Sequence, residues 1–186
     1  GRRIVVTRAR EQASELAARL EALGAETIEA PAIRIEPPED ARPLRDAARR
    51  TAEFDWIIFT SVNGVDAFFT ALAEDGLDAR ALAGRRIAAI GPATAGRLTQ
   101  HGIRADLQPE AFTGAEVAKA LAAQGSLAGV RILLPRADIA PKELVETLAG
   151  TGAIAREVVA YRTVPALSNR GAIRARLAQG EIDWLT

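Results

Sequence analysis

The sequence contains no cysteine and no methionine, and only one histidine and one tyrosine among its 186 residues. Without cysteine there is no disulfide, no thiolate nucleophile and no cysteine-held metal. His101 is the sole histidine, so a histidine metal cluster or a Ser-His-Asp triad has at most one place to sit. It precedes Gly102 at a predicted helix end, where a cation complements the dipole, and no catalytic role is expected of it. Neither sign of charge is in excess: 24 basic residues balance 24 acidic ones. A nucleic-acid partner, which calls for a basic surface, is therefore not expected. No apolar run approaches the roughly 20 residues of a membrane span. Gly1-Arg2-Arg3-Ile4-Val5-Val6 enters a strand at once, with no signal-peptide pattern. A cytoplasmic chain with no membrane partner is expected. The absence of methionine predicts that the native start lies elsewhere.

What is present is a repeat. Slid by 128 residues without gaps, residues 1–58 meet residues 129–186 with 19 identities in 58 positions, where chance gives about a tenth or less. Gly1-Arg2-Arg3-Ile4 falls on Gly129-Val130-Arg131-Ile132, Arg8-Ala9 on Arg136-Ala137, and Glu15-Leu16 on Glu143-Leu144. Gly24-Ala25 falls on Gly152-Ala153, and Glu53-Phe54-Asp55-Trp56 on Glu181-Ile182-Asp183-Trp184. Two related halves are implied. The second copy spans 58 residues where the first spans 128, so it is expected to lack its C-terminal part or to be disordered beyond Thr186.

Short apolar runs alternate with helical periodicity along the chain. Strands are predicted at Ile4–Val6, 55–60, 87–90, 105–108 and 130–134, with extended segments at 26–35 and 153–165. Helices are predicted at 11–23, 44–50, 64–74, 93–100, 114–123 and 141–148. Alternation of this kind makes an open, doubly wound parallel α/β sheet. Its ligand crevice lies beyond the carboxyl ends of the strands. Thr7-Arg8, Thr60-Ser61-Val62-Asn63-Gly64, Gly91-Pro92-Ala93-Thr94, Phe112-Thr113-Gly114 and Pro135-Arg136 all stand at strand ends or helix starts. Small hydroxyl residues and glycines there expose backbone N–H groups to an anion. For any one of these turns an ordinary N-cap is the simpler account; several on one sheet edge favour a polyanion pocket. Arg8 and Arg136 occupy equivalent repeat positions, where forked hydrogen bonds to carboxylates and inherited ion pairs are equally good accounts. Trp56 and Trp184 are repeat mates and are expected in the core. Tyr161 alone would be amphipathic packing.

Taken together, several segments resemble uroporphyrinogen-III synthase. They are Ile4-Val5-Val6-Thr7-Arg8, Asp55-Trp56-Ile57-Ile58-Phe59-Thr60-Ser61-Val62-Asn63-Gly64, Ala89-Ile90-Gly91-Pro92-Ala93-Thr94 and Val159-Ala160-Tyr161-Arg162-Thr163. The resemblance implies two doubly wound parallel-sheet domains of similar fold joined by a two-stranded antiparallel linker. Residues 1–35 plus 166–186 would form a discontinuous domain, incomplete here, and 36–165 a continuous one, with 32–36 and 159–164 as linker strands. It also implies cyclisation of a linear tetrapyrrole, hydroxymethylbilane, to uroporphyrinogen III by a bacterial enzyme, a lyase, in heme biosynthesis. Ring D is inverted, water is lost, and no cofactor or metal takes part. Tyr161 matches the family tyrosine that assists hydroxyl departure as a proton donor. Thr7, Arg8, Thr60, Ser61, Asn63, Gly91, Thr94, Thr113, Gly114 and Arg136 would bind the substrate carboxylates. A monomer is expected. The alternative is a tetrapyrrole or small-anion binding module of the same fold without turnover, since fold does not fix function. A flavodoxin-like protein is disfavoured by the duplication and by the lack of G-x-G-x-x-G or Walker glycines.

Overall fold

The computed structural model describes residues 1–8, 10–166 and 170–186, with the side chains of 10–15 and 170 outside the description. Ala9 and the side chain of Glu15, both part of the repeat, lie outside the described residues. In chain order the elements begin with β1 (Arg3–Val6), α1 (Arg10–Ala22), β2 (Glu26–Glu29), β3 (Ile33–Glu36) and α2 (Arg42–Arg49). Then come β4 (Trp56–Phe59), α3 (Val62–Glu74), β5 (Arg86–Ala89), α4 (Pro92–Gln100) and α5 (Gly114–Ala122). The last are β6 (Arg131–Ala137), α6 (Glu143–Gly150), β7 (Ile154–Pro165), α7 (Arg170–Ala178) and β8 (Trp184–Leu185). Two compact units result: residues 1–36 with 163–186, and residues 37–162. No helix among the described residues is long and apolar enough to cross a membrane.

The first unit holds a three-stranded sheet in the order β2-β1-β8, parallel throughout. The second unit is built on the order β7-β6-β4-β5, parallel throughout. β4 shows why the second unit is stable. All four of its residues are buried. Successive side chains point to opposite faces, so Ile57 and Phe59 join one cluster with Phe68, Leu72 and Leu98, while Trp56 and Ile58 join another with Leu121, Leu144 and Leu148. Helices α3 and α4 thus cover one face, and α5 and α6 the other. Each such side chain contributes about 1.5–3 kcal/mol.

The two sheets share a pairing register. Arg3 stands opposite Glu26, and Arg131 opposite Ile154. Ile4 stands opposite Trp184, and Ile132 opposite Trp56. Shifting β2-β1-β8 by the repeat interval reproduces the mutual pairings of β7, β6 and β4. The Asp-Trp pairs latch alike. The Arg3 N–H donates to Asp183 at 2.7 Å, and the Arg131 N–H to Asp55 at 2.8 Å. Each aspartate N–H returns a bond of 2.9 Å to that arginine's carbonyl. The Arg3 N–H, helped by the guanidinium groups of Arg3 and Arg2, holds the Asp183 carboxyl below the usual carboxylate range.

Four expectations from sequence need correcting. Residues 105–108 make only a single parallel bridge, Leu107 to Ala88. The Asp106 carboxylate takes the Ile87 N–H that a continuing ladder would use, and Pro109 cannot donate to extend it. β6 does not stop at Leu134 but runs through Pro135 and Arg136, because β7 keeps pairing with it to Val159 and beyond. The helix predicted from Pro141 begins at Glu143; the Pro141 carbonyl faces the Arg136 side chain instead. Trp184 is 64% exposed, whereas its repeat mate Trp56 is buried. Trp56 lies under the α5/α6 cluster with the Arg86 guanidinium 4.2 Å from its ring centroid. Trp184 is on a two-residue edge strand that neither buried cluster covers.

Candidate active site on the continuous unit

The carboxyl edge of β4 turns directly into α3. Ser61 is the N-cap, extended at φ −157° and ψ 155°, and its Oγ accepts the Gly64 N–H at 3.0 Å. That bond satisfies one of the first-turn donors that a helix leaves without an internal partner. Gly64 is required here. A Cβ at this position would lie 2.9 Å from the Pro135 carbonyl oxygen and 3.2 Å from Ser61 Oγ. Its absence lets the first turn of α3 rest on the end of β6. Thr60, Ser61 and Asn63 are half-buried along this turn.

Tyr161 reaches the same place from β7. Its ring packs at the margin of the α3/α4 cluster, and its Oη lies 3.0 Å from Ser61 Oγ. Its backbone carbonyl accepts the Asp138 N–H at 3.1 Å, just past the bulge at Arg136/Ala137. Strand order explains how residues 100 apart in sequence meet: β6 alone separates β4 from β7.

Two further helices start at this edge. β5 ends before Gly91, whose φ of +89° suits glycine, and Pro92 opens α4 with its preset φ. Beyond the Leu107 bridge, Thr113 caps α5 by accepting the Glu116 N–H at 3.3 Å. Phe112 is 60% exposed, and its ring would sit 3.9 Å from a Cβ on Gly91, so the turn before α5 lies beside the start of α4. Neither α3 nor α4 carries an acidic residue in its first turn; α5 carries Glu116. The dipoles of α3 and α4 thus meet an incoming anion without a competing first-turn carboxylate.

Other expected site residues have different surroundings. Thr94 is buried in the first turn of α4. Gly114 is also buried: a Cβ would come within 3.1 Å of the Leu144 backbone, so this glycine allows α5 to pack on α6. Arg136 is buried, donating to the Pro141 carbonyl at 3.0 Å and to Glu157 at 3.1 Å, while Lys142 holds the other Glu157 oxygen. Its guanidinium is engaged in an ion pair within the continuous unit. Thr7 and Arg8 belong to the first unit. Thr7 donates its hydroxyl to the Thr186 carbonyl and borders a cavity of about 950 Å³ with Val5, Ala30, Ile173 and Leu177. Arg8 is exposed. His101 caps the C-terminus of α4 and stacks on Phe69 at 4.1 Å, in keeping with a structural role. Among the described residues no three His, Asp or Glu side chains are grouped to hold a metal.

Sequence reasoning placed Phe112 before the Thr113 cap but gave it no role, and it passed over the use of Gly64 as a spacer. An aromatic residue immediately before an N-cap on the ligand edge was the available signal for the first. The second depends on the Pro135 carbonyl, which only the fold brings near.

Comparison with known proteins gives a consistent picture. The family model described as uroporphyrinogen-III synthase HemD matches residues 14–186. The porphyrin biosynthesis protein HemD of Ruminiclostridium josui is 33% identical over 186 residues, which is all of this chain and 37% of that protein. A uroporphyrinogen-III synthase of Synechococcus elongatus is 36% identical over 164 residues, 88% of this chain and 61% of that one. The chain therefore spans less than two thirds of the length of both. A mutant uroporphyrinogen III synthase of the extreme thermophile Thermus thermophilus superposes over the whole chain and 71% of its own, with a TM-score of 0.69 at 24% identity. At that identity the likeness is one of fold: α/β with parallel sheets.

Proposed function

From the premise that this chain belongs to the uroporphyrinogen-III synthase family, we propose that the protein it represents cyclises hydroxymethylbilane to uroporphyrinogen III, inverting ring D and releasing water. The observation that carries the proposal is the Tyr161–Ser61 contact at 3.0 Å, set on the sheet edge where α3, α4 and α5 begin. The chemistry asks for two things. A proton must reach the departing hydroxyl so that the C–O electron pair leaves as water and an azafulvene remains. A flexible polycarboxylate must then be held while ring D is attacked at its substituted carbon, fragments and recombines the other way round. The phenol of Tyr161 suits the first task as a general acid, and the proton freed on ring closure restores it. Helix starts with capped, outward-facing N–H groups suit the second. Thr60, Asn63, Gly91 and Thr113 are assigned to carboxylate binding on this unit, and Thr7 and Arg8 on the other. Thr94, Gly114 and Arg136 are assigned to packing.

The same proposal takes the two units as duplicated domains, one discontinuous, linked through residues 32–36 and 159–164. The shared strand register and the paired Asp-Trp latches support it. A monomer acting in the cytoplasm completes the proposal. The test is isomer analysis with the full-length protein. Hydroxymethylbilane is generated in situ, the products are oxidised, and the uroporphyrins are separated by chromatography. Isomer III is expected, with Tyr161→Phe slowing its formation about 10²-fold or more. Only the spontaneous isomer I from folded protein would overturn the synthase assignment and leave the anion-binding module.

A further inference from the structure

The contact between Ser61 and Tyr161 has a direction that can be worked out from the donors around it. An N-cap needs one acceptor lone pair, and Ser61 Oγ supplies that to the Gly64 N–H at 3.0 Å. The hydroxyl proton is left over after capping. The nearest polar side-chain atom bonded to that oxygen is Tyr161 Oη, at 3.0 Å, in a partly buried setting. The amino terminus of α3, with no acidic residue in its first turn, draws electron density from Ser61 Oγ. This makes the serine a better donor and a poorer acceptor. With Ser61 as the donor, Tyr161 Oη accepts the serine proton and its own O–H is free to point elsewhere.

We propose that Ser61 is a positioning residue for Tyr161: it donates its hydroxyl proton to Tyr161 Oη, completing a head-to-tail chain from the α3 amino terminus through Gly64 N–H and Ser61 O–H to the tyrosine. Bonds in such a chain polarise one another in the same sense. As the Tyr161 proton passes to the leaving oxygen, the charge growing on Oη faces a preset donor backed by a helix amino terminus. The proposal rests on the synthase reading for its chemistry, and it moves Ser61 from the carboxylate ligands to the support of the acid. Gly64 belongs to the same device, since the close approach of α3 to Pro135 fixes where the cap stands.

The test uses Ser61→Gly, because glycine replaces serine at an N-cap at a cost of only a few tenths of a kcal/mol while deleting the hydroxyl. Ser61→Thr, which keeps hydroxyl and cap, is the rescue. Tyrosine labelled with carbon-13 at Cζ gives a Tyr161 signal, identified by its loss in Y161F, and that signal reports hydrogen bonding at Oη. S61G is expected to move this signal and S61T to leave it near the wild-type position. In the full-length protein S61G should lower kcat roughly tenfold with KM nearly unchanged, the loss of one hydrogen bond to a developing charge. In the Y161F background S61G should cause no further loss. A Cζ signal indifferent to S61G in folded protein overturns the proposal, and so do S61G losses equal in the Tyr161 and Y161F backgrounds. A wild-type protein yielding only isomer I defeats the synthase reading instead, while the carbon-13 comparison, which needs no turnover, still decides whether Ser61 holds Tyr161.

Discussion

Replacing Gly64 with alanine sets two opposed effects against each other. Alanine is favoured over glycine within a helix by about 1 kcal/mol. Against that, the new methyl group would stand 2.9 Å from the Pro135 carbonyl oxygen, well inside an ordinary contact. That carbonyl is backbone, so it cannot swing away as a side chain could. Relief requires α3 or the end of β6 to move, and overpacking of this sort costs about 1–3 kcal/mol. The contact is with backbone and far inside van der Waals range, so the steric effect wins, for a net loss of up to about 2 kcal/mol. Gly96, in the middle of α4, is the internal control. It is exposed, and a Cβ there meets nothing within 4 Å. Gly96→Ala should therefore stabilise by about 0.5–1 kcal/mol. With about 4 °C per kcal/mol for a unit of this size, thermal melts followed by circular dichroism should separate the two variants by several degrees, in opposite directions from wild type. A Gly64→Ala protein as stable as wild type would refute the close-packing account. So would a common direction of shift for both variants.

The Arg136 cluster offers a contrast between buried and exposed partners. Glu157→Gln leaves the Arg136 guanidinium, 8% exposed, without its carboxylate and should cost about 3 kcal/mol in urea unfolding. Lys142→Met removes a cation that is 65% exposed and should cost under about 1 kcal/mol; a larger loss for Lys142 than for Glu157 would contradict this picture. Asp75 is held below the usual carboxylate range by its hydrogen bond from Arg45, with Arg49 adding to the effect. A lowered folded-state value means that the stabilisation is complete above the ordinary range and fades as pH falls through the folded value. The stability gap between wild type and Asp75→Asn should accordingly be greatest near neutrality and close below about pH 4; urea midpoints measured across that window check it.

Local patterning carried a good part of the fold. β4 was readable because its residues form a short apolar run ended by a capping sequence, and both features act within a few residues. Arg136 shows the limit. Pro135 looks like a strand end, yet a neighbouring strand can carry pairing past a proline, and the carboxylate that holds Arg136 lies 21 residues away at Glu157. Of the site, the N-cap chemistry of Ser61 and Thr113 was local and legible. The meeting of Ser61 with Tyr161 depends on strand order, and no periodicity reports that two residues 100 positions apart share a hydrogen bond.

The pairing of Ile4 with Trp184 has a consequence for the order in which the chain can acquire its structure. During synthesis the second unit, residues 37–162, has all its residues once β7 has emerged. β1, made before that unit, must wait for β8. Closing a loop of this length costs only a few kcal/mol of entropy, because the cost grows with the logarithm of length. The delay is one of time: at about 5–20 residues per second, β1 spends roughly ten to forty seconds with one edge unpartnered. That edge of β1 is thus secured only after the second unit has all its residues, and an aggregation-suppressing partner would find its work there and not in the apolar centre of the second unit.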